Sequence, residues 1–153
     1  MSITNILLVD DEISFIETMA KRLNKREFNV SIASGGQEAL DFLANQMTID
    51  VVVLDVKMPG MDGIATLQAI RQKYPLIQVI MLTGHATVDS AIEGMKNGAF
   101  DYLMKPCAIE ILISKVNEAF RAKQQHEEKI RNARINEIGQ SFESARDIIN
   151  SLT

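Results

Sequence analysis

The stretch Val51-Val52-Val53-Leu54-Asp55-Val56-Lys57-Met58-Pro59-Gly60-Met61-Asp62-Gly63 decides how this chain folds. Its first four residues are apolar on both faces, as in a strand covered by helices on either side. Asp55 closes that run with a carboxylate. Pro59-Gly60-Met61-Asp62-Gly63 then turns the chain, and Ile64, Leu67 and Ile70 recur at helical spacing. The unit reads as strand, acidic residue, turn, helix.

The same order recurs outward in both directions. Ile6–Val9 leads into Asp10-Asp11-Glu12 and then Phe15, Met19 and Leu23 at helical spacing. Phe28–Ala33 alternates through Val30 and Ile32, passes Gly35-Gly36, and continues into Ala39, Leu40 and Leu43. Val79–Leu82 precedes Thr83-Gly84 and then Val88, Ala91, Ile92 and Met95, with Asn97-Gly98 closing that helix. Tyr102–Met104 precedes Lys105-Pro106 and then Ile109, Leu112, Ile113, Val116 and Phe120. Five strands alternating with five helices predict a doubly wound α/β domain with a parallel sheet. Right-handed crossovers put every strand's C-terminal end on one edge, where such sheets bind ligands. Periodicity leaves the strand order open.

The chain has 153 residues, enough for one domain with a real core and a short appendage. A hydrophobic content of 46% is that of a globular protein, and a net charge of −4 argues against a surface built to neutralise nucleic-acid phosphates. No direct nucleic-acid contact is therefore expected. The single cysteine, Cys107, cannot form an intrachain disulfide and reads as a small apolar residue at a strand-to-helix turn. No apolar run approaches the ~20 residues of a membrane span, and the N-terminus lacks a signal peptide's basic region and cleavage site. The cytoplasm, with no membrane contact, is the expected setting.

Beyond Phe120 the texture changes. Arg121–Arg134 is almost entirely polar, with Ile130 its one large apolar residue, and reads as a solvated helical extension or linker. Ile135, Ile138, Phe142, Ala145, Ile149 and Leu152 then recur at heptad spacing, a stripe shorter than the ~3–4 heptads of a sustained coiled coil. Gly139 weakens that helix. Such a stripe either docks on its own domain or frays, or it pairs with another chain.

Asp10, Asp11 and Asp55 would converge at the sheet edge. At ~5 Å and an effective dielectric near 20, each pair of carboxylates repels by roughly 3 kcal/mol. A divalent cation relieves this, and hard oxygen ligands at a partly open site suit Mg²⁺, which is usually completed by a phosphate. Lys105 adds a second positive group, Thr83 a hydroxyl donor, and Gly84 room for a group to enter. Asp55 is then the candidate nucleophile for phosphoryl transfer, a reaction that needs mainly positioning and charge neutralisation. Taken singly, each cluster has a plainer reading. The acidic triplet could start a helix, Asp55 could cap a turn, Thr83 could be an N-cap, and Lys105-Pro106 could be a solvated turn. Their placement after four different strands is what favours a common site.

With these motifs in view, residues 3–122 resemble the receiver domain of bacterial two-component response regulators. The resemblance rests on Asp10-Asp11, on Leu54–Gly63, on Thr83-Gly84-His85 and on Asp101-Tyr102-Leu103-Met104-Lys105-Pro106. It implies a five-stranded parallel sheet of order 2-1-3-4-5, one of the common doubly wound orders. It also implies phosphotransfer to Asp55 from a sensor histidine kinase, a histidine phosphotransfer protein or a small phosphodonor, so the chain would be a phosphoacceptor rather than an enzyme.

Further roles follow from the resemblance. Asp11, Asp55 and the backbone carbonyl of Lys57 would hold Mg²⁺ (or Mn²⁺), with Asp10 acting mainly through water. Lys105 would pair with the phosphoryl group. Thr83 would be drawn inward, Tyr102 would rotate, and the face of helix 87–97, strand 100–104 and helix 108–122 would change for a downstream protein to read. Lys57 and His85 would flank the group and tune its lifetime, while Pro59, Gly63, Gly84 and Pro106 would be structural. No role follows for Cys107.

Residues 123–153 form the expected C-terminal helical extension, too short for an ATPase module and poor in basic character. The chain then reads as a stand-alone receiver, or as a receiver fragment of a larger transcriptional regulator or hybrid kinase, since Gly84–Lys105 looks most like receivers of those types. That same face and the C-terminal helix each offer a homodimer surface. Two rivals fit less well. An aspartate-nucleophile phosphatase needs a second acid two residues after the first, where Lys57 stands. A flavin binder of similar architecture needs a Ser/Thr/Gly-rich loop where Asp10-Asp11-Glu12 stand.

Overall fold

The computed structural model describes residues 3–45, 48–84 and 87–152. Five strands alternate with five helices: β1 (Asn5–Val9), α1 (Ile13–Asn24), β2 (Asn29–Ala33), α2 (Gly36–Asn45), β3 (Val51–Leu54), α3 (Gly63–Lys73), β4 (Gln78–Thr83), α4 (Val88–Lys96), β5 (Asp101–Met104) and α5 (Ile109–Leu152). All pairings are parallel, in the order β2-β1-β3-β4-β5. The fold and strand order are those expected, with α5 as the long C-terminal helix.

The two faces of the sheet bury alternate residues of each strand, as the period of two requires. Leu7, Val9, Val52, Leu54, Val79 and Met81 pack with Ala39 and Leu43 of α2 and Leu67 and Ile70 of α3. Ile6, Leu8, Val51, Val53, Ile80 and Leu82 pack with Ile16, Met19 and Leu23 of α1 and Leu112, Val116 and Ala119 of α5. β3 and β4 are buried along their whole length, which is why Val51–Leu54 and Val79–Leu82 are continuously apolar. Edge strand β2 is only partly covered, with Val30 and Ser31 half-buried, Ile32 exposed and Ala33 buried.

Residues 1–123 and 124–153 form two compact units. The second is helical through Leu152, with Gly139 inside the helix rather than ending it. The helix thus survives the roughly 1 kcal/mol by which an interior glycine disfavours helix relative to alanine. Within that unit Ile135, Ile138, Phe142, Ile149 and Leu152 are exposed.

Register explains why the polar clusters meet. Val9 lies beside Leu54, and Leu54 beside Met81, so the residues that follow emerge at one edge. The Asp55 N–H donates to the Val9 carbonyl at 3.0 Å, which sets Asp55 beside Asp10. Across the sheet the Lys105 N–H donates to the Thr83 carbonyl at 2.9 Å.

Candidate functional site: an acidic pocket with one lysine

Asp10 and Asp55 are 3% exposed, whereas Asp11 is on the surface. One carboxylate oxygen from each of the three lies within 4.8 Å of the others. Asp55 Oδ1 is buried and has no hydrogen-bond partner among the described residues. A buried carboxylate oxygen without a partner costs about 1–3 kcal/mol, and more when charged, so the site is arranged for a ligand that supplies positive charge. Three hard oxygen donors, one of them open to solvent, fit a divalent cation of the Mg²⁺ type.

Lys105 is the cation already present. Its Nζ donates to Asp10 Oδ2 at 2.5 Å, stands 3.5 Å from Glu12 Oε1, and lies 4.1 Å from the centroid of the Phe15 ring. Asp10 Oδ1 accepts the Glu12 N–H at 2.9 Å. Burial pushes the Asp10 carboxyl above its ordinary range, against the Lys105 hydrogen bond and the Glu12 N–H, and Asp55 pushes it the same way. Burial also works to lower Lys105, but the Asp10 hydrogen bond and the charges of Asp10, Asp55 and Glu12 outweigh it and hold the ammonium above its usual value. The lysine is therefore the securely charged partner. The carboxylates remain under-neutralised, as expected for a pocket that takes up a further cation.

The plainer roles belong to other residues. The N-cap of α3 is Asp62, whose side chain accepts the Ala65 N–H at 2.8 Å, and that of α4 is Thr87, in a reciprocal capping box with Ser90. No side chain caps α1, whose N-cap residue is Glu12. Asp55 and Thr83 are thus not the N-cap residues of α3 and α4.

Thr83 is fully buried at the end of β4. Gly84 is exposed, and a Cβ placed on it would come no nearer than 4.0 Å to Lys105 Cδ, so it leaves this side of the pocket open. Lys57 and Pro59 are exposed in the loop between β3 and α3. Pro106 follows Lys105 through a cis peptide. Gly63 is packed against the backbone of Asp55 and Val56. Tyr102 is half-buried, and its hydroxyl shares a 2.8 Å hydrogen bond with Ser90 Oγ. His85 lies outside the described residues.

Sequence reasoning missed three partners. Phe15 had only its helical spacing, Glu12 only its charge, and Ser90 no signal at all, because each acts on a residue distant in sequence. Cys107 is half-buried, and burial pushes its thiol up.

A family model described as the response regulator receiver domain matches residues 6–117. The chain belongs to the response regulator receiver family. It is 37% identical over 129 residues to the DNA-binding transcriptional regulator NtrC of Klebsiella pneumoniae, covering 84% of this chain and 27% of that protein. To the transcriptional regulatory protein ZraR of Escherichia coli it is 39% identical over 115 residues, covering 75% of this chain and 26% of that protein. The chain thus spans about a quarter of the length of these curated relatives. Among solved structures, a receiver domain from Clostridium thermocellum aligns with TM-score 0.77 and 36% identity, over 80% of this chain and 98% of that one. NtrX from Brucella abortus aligns with TM-score 0.77 and 27% identity, over 83% of this chain and 29% of that one. Among the described residues no helix is long and apolar enough to cross a membrane.

Proposed function

We propose that this receiver is a phosphorylation-activated switch in which Asp55 accepts the phosphoryl group. The observation that carries this reading is the buried Asp55 Oδ1, without a partner among the described residues, in a carboxylate that has an oxygen within 4.8 Å of Asp10 and Asp11 oxygens. Asp10, Asp11, Asp55 and the Lys57 carbonyl would hold Mg²⁺ or Mn²⁺, whose charge would offset that of the carboxylates and of the entering group. An Asp55 oxygen attacks the phosphorus of a phosphohistidine or of a small acyl phosphate. The phosphorus–nitrogen or phosphorus–oxygen bond to the donor breaks, and an aspartyl phosphate forms. Lys105 transfers its hydrogen bond from Asp10 to a phosphoryl oxygen, and Thr83 donates to another. Lys57 and His85 govern how fast water reaches the product.

The output runs through the opposite rim. A phosphoryl group adds about −1.5 to −2 charges, enough to draw Thr83 inward and leave space for Tyr102. Tyr102 then exchanges its Ser90 partner for a buried position. The face of α4, β5 and α5 changes, and a downstream protein reads it. The donor would be a sensor histidine kinase or a histidine phosphotransfer protein in the cytoplasm. Residues 3–122 form the switch and 123–153 its helical extension. The relatives favour one second reading, that these residues are the receiver portion of a larger transcriptional regulator, whose DNA contacts would lie in other parts of the protein.

The test is intact mass after incubation with acetyl phosphate. One phosphoryl adduct that needs Mg²⁺ and is absent from Asp55→Asn is the expected result. No adduct, under conditions that label another receiver, would refute phosphorylation and leave a receiver that works by binding alone.

A further inference from the structure

Among the described residues Asp10, Glu12 and Phe15 lie closest to the Lys105 ammonium, and of these three the Phe15 ring alone is not a carboxylate. Asp10 belongs to the acidic cluster, and in the phosphorylation-competent state just proposed its oxygens turn to the cation. The Glu12 side chain is 61% exposed at the start of α1, a loosely held partner at 3.5 Å. The Phe15 ring is the remaining one. It is half-buried on the face of α1 that also carries Met19 and Leu23, so packing holds it in place. It also helps line a small crevice with Asp10, Asp55 and Leu82.

We propose that Phe15 is a positioning residue for phosphoryl transfer, holding the Lys105 ammonium at the site after Asp10 releases it. This inference rests on Asp55 being the phosphoacceptor. A cation over an aromatic face is attracted by the ring quadrupole. Unlike a carboxylate, the ring takes none of the ammonium's three hydrogens, so all remain available to phosphoryl oxygens. An aliphatic side chain of similar size would fill the space but leave the lysine free to swing toward Glu12 or solvent. The ring's attraction corresponds to about two- to five-fold in an exposed setting and up to ~30-fold when desolvated. The Lys105 side chain is 13% exposed, so the effect should fall between these.

The experiment measures the rate of acetyl phosphate labelling with Mg²⁺ by intact mass, for the full chain and for Phe15→Leu and Phe15→Tyr. Beryllofluoride affinity, which stays measurable when labelling is slow, is read for the same proteins and again in a Lys105→Met background. Circular dichroism reports the folded fraction to which each value is referred. The expected result is a roughly five- to twenty-fold loss of rate and of beryllofluoride affinity in Phe15→Leu. Phe15→Tyr should stay within about two-fold of the parent, and Phe15→Leu should add less than two-fold once Lys105 is Met. Equal losses in the Leu and Tyr variants, or an undiminished Leu effect without Lys105, would overturn the proposal. So would a parental rate in Phe15→Leu while the parent still labels on Asp55, which leaves the phosphoacceptor reading intact. An unlabelled parent would remove both.

Discussion

Gly63 ties the fold to the proposed chemistry more tightly than any other glycine, and Gly63→Ala tests that tie. A Cβ at this position would stand 2.1 Å from the Asp55 carbonyl oxygen, 2.6 Å from Val56 Cα and 2.9 Å from the Asp55 carbonyl carbon. All three are backbone atoms, so no side chain can rotate away. Ordinary contact begins at 3.4 Å, so the nearest atom must retreat by about 1.3 Å (3.4 less 2.1). The Gly63 N–H also donates to the Val56 carbonyl at 2.7 Å, which holds the two segments together. Overpacking of this kind costs typically ~1–3 kcal/mol, and the better helix propensity of alanine returns at most about 1. A net loss of about 2 kcal/mol would lower the urea midpoint by about 1 M at the m-values usual for small domains. Two of the three retreating atoms belong to Asp55 itself, and a displacement of about 1 Å at a reacting group can reduce rate roughly 100-fold. Urea unfolding and acetyl phosphate labelling therefore fall together. Gly35→Ala is the control, since a Cβ there meets nothing within 4 Å. A Gly63→Ala protein with the parental midpoint and labelling rate would refute the reasoning, because the loop would then have slack that the close approach denies.

Three further outcomes follow from other contacts. Asp50 is buried directly ahead of β3, accepting the Asn5 N–H at 2.8 Å and pairing with Lys123 at 3.0 Å, so Asp50→Ala should cost about 1–3 kcal/mol in urea unfolding; an unchanged midpoint would count against both contacts. Ser90→Ala removes the capping box of α4 and the partner of the Tyr102 hydroxyl, so a loss of about 1–2 kcal/mol is expected. In the double variant with Tyr102→Phe the losses should be clearly less than additive, and strict additivity would show that the Ser90–Tyr102 bond contributes nothing.

Glu38 supplies the pH dependence. Hydrogen bonds from the Ser34 hydroxyl and N–H hold its carboxyl below the ordinary 4.5. A lowered folded value favours the ionised form, so the stabilisation is present above about pH 4.5 and is lost as pH falls through the folded value. The gap in urea midpoint between the parent and Glu38→Gln, worth less than about 1 kcal/mol for so exposed a group, should close at acidic pH. A gap that widened on acidification would reverse the sign.

Much of the site was legible because its residues sit in register with the apolar runs. Asp10, Asp55 and Lys105 directly follow β1, β3 and β5, and Thr83 ends β4, so recognising parallel strands was enough to bring them to one edge. Asp62 and Thr87 as helix caps were less visible, since several polar residues near each helix start carry the same propensity. Gly139 weakens the C-terminal helix without ending it, because a local preference of about 1 kcal/mol is small beside the cooperativity of a long helix.

The sequence by itself determined the alternation of strands and helices, the burial of β3 and β4 on both faces, and the chemistry available at the edge. Hydrophobic periodicity is a local property, and right-handed crossover is a general rule, so neither needs coordinates. Only the tertiary structure decided which groups surround the Lys105 ammonium, that Asp55 Oδ1 lacks a partner among the described residues, and that Tyr102 is bonded to Ser90. Those facts depend on ångström-scale distances between side chains up to ninety-five positions apart in the chain, such as Lys105 and Asp10. Such distances are set by how the elements pack together, which no local pattern encodes.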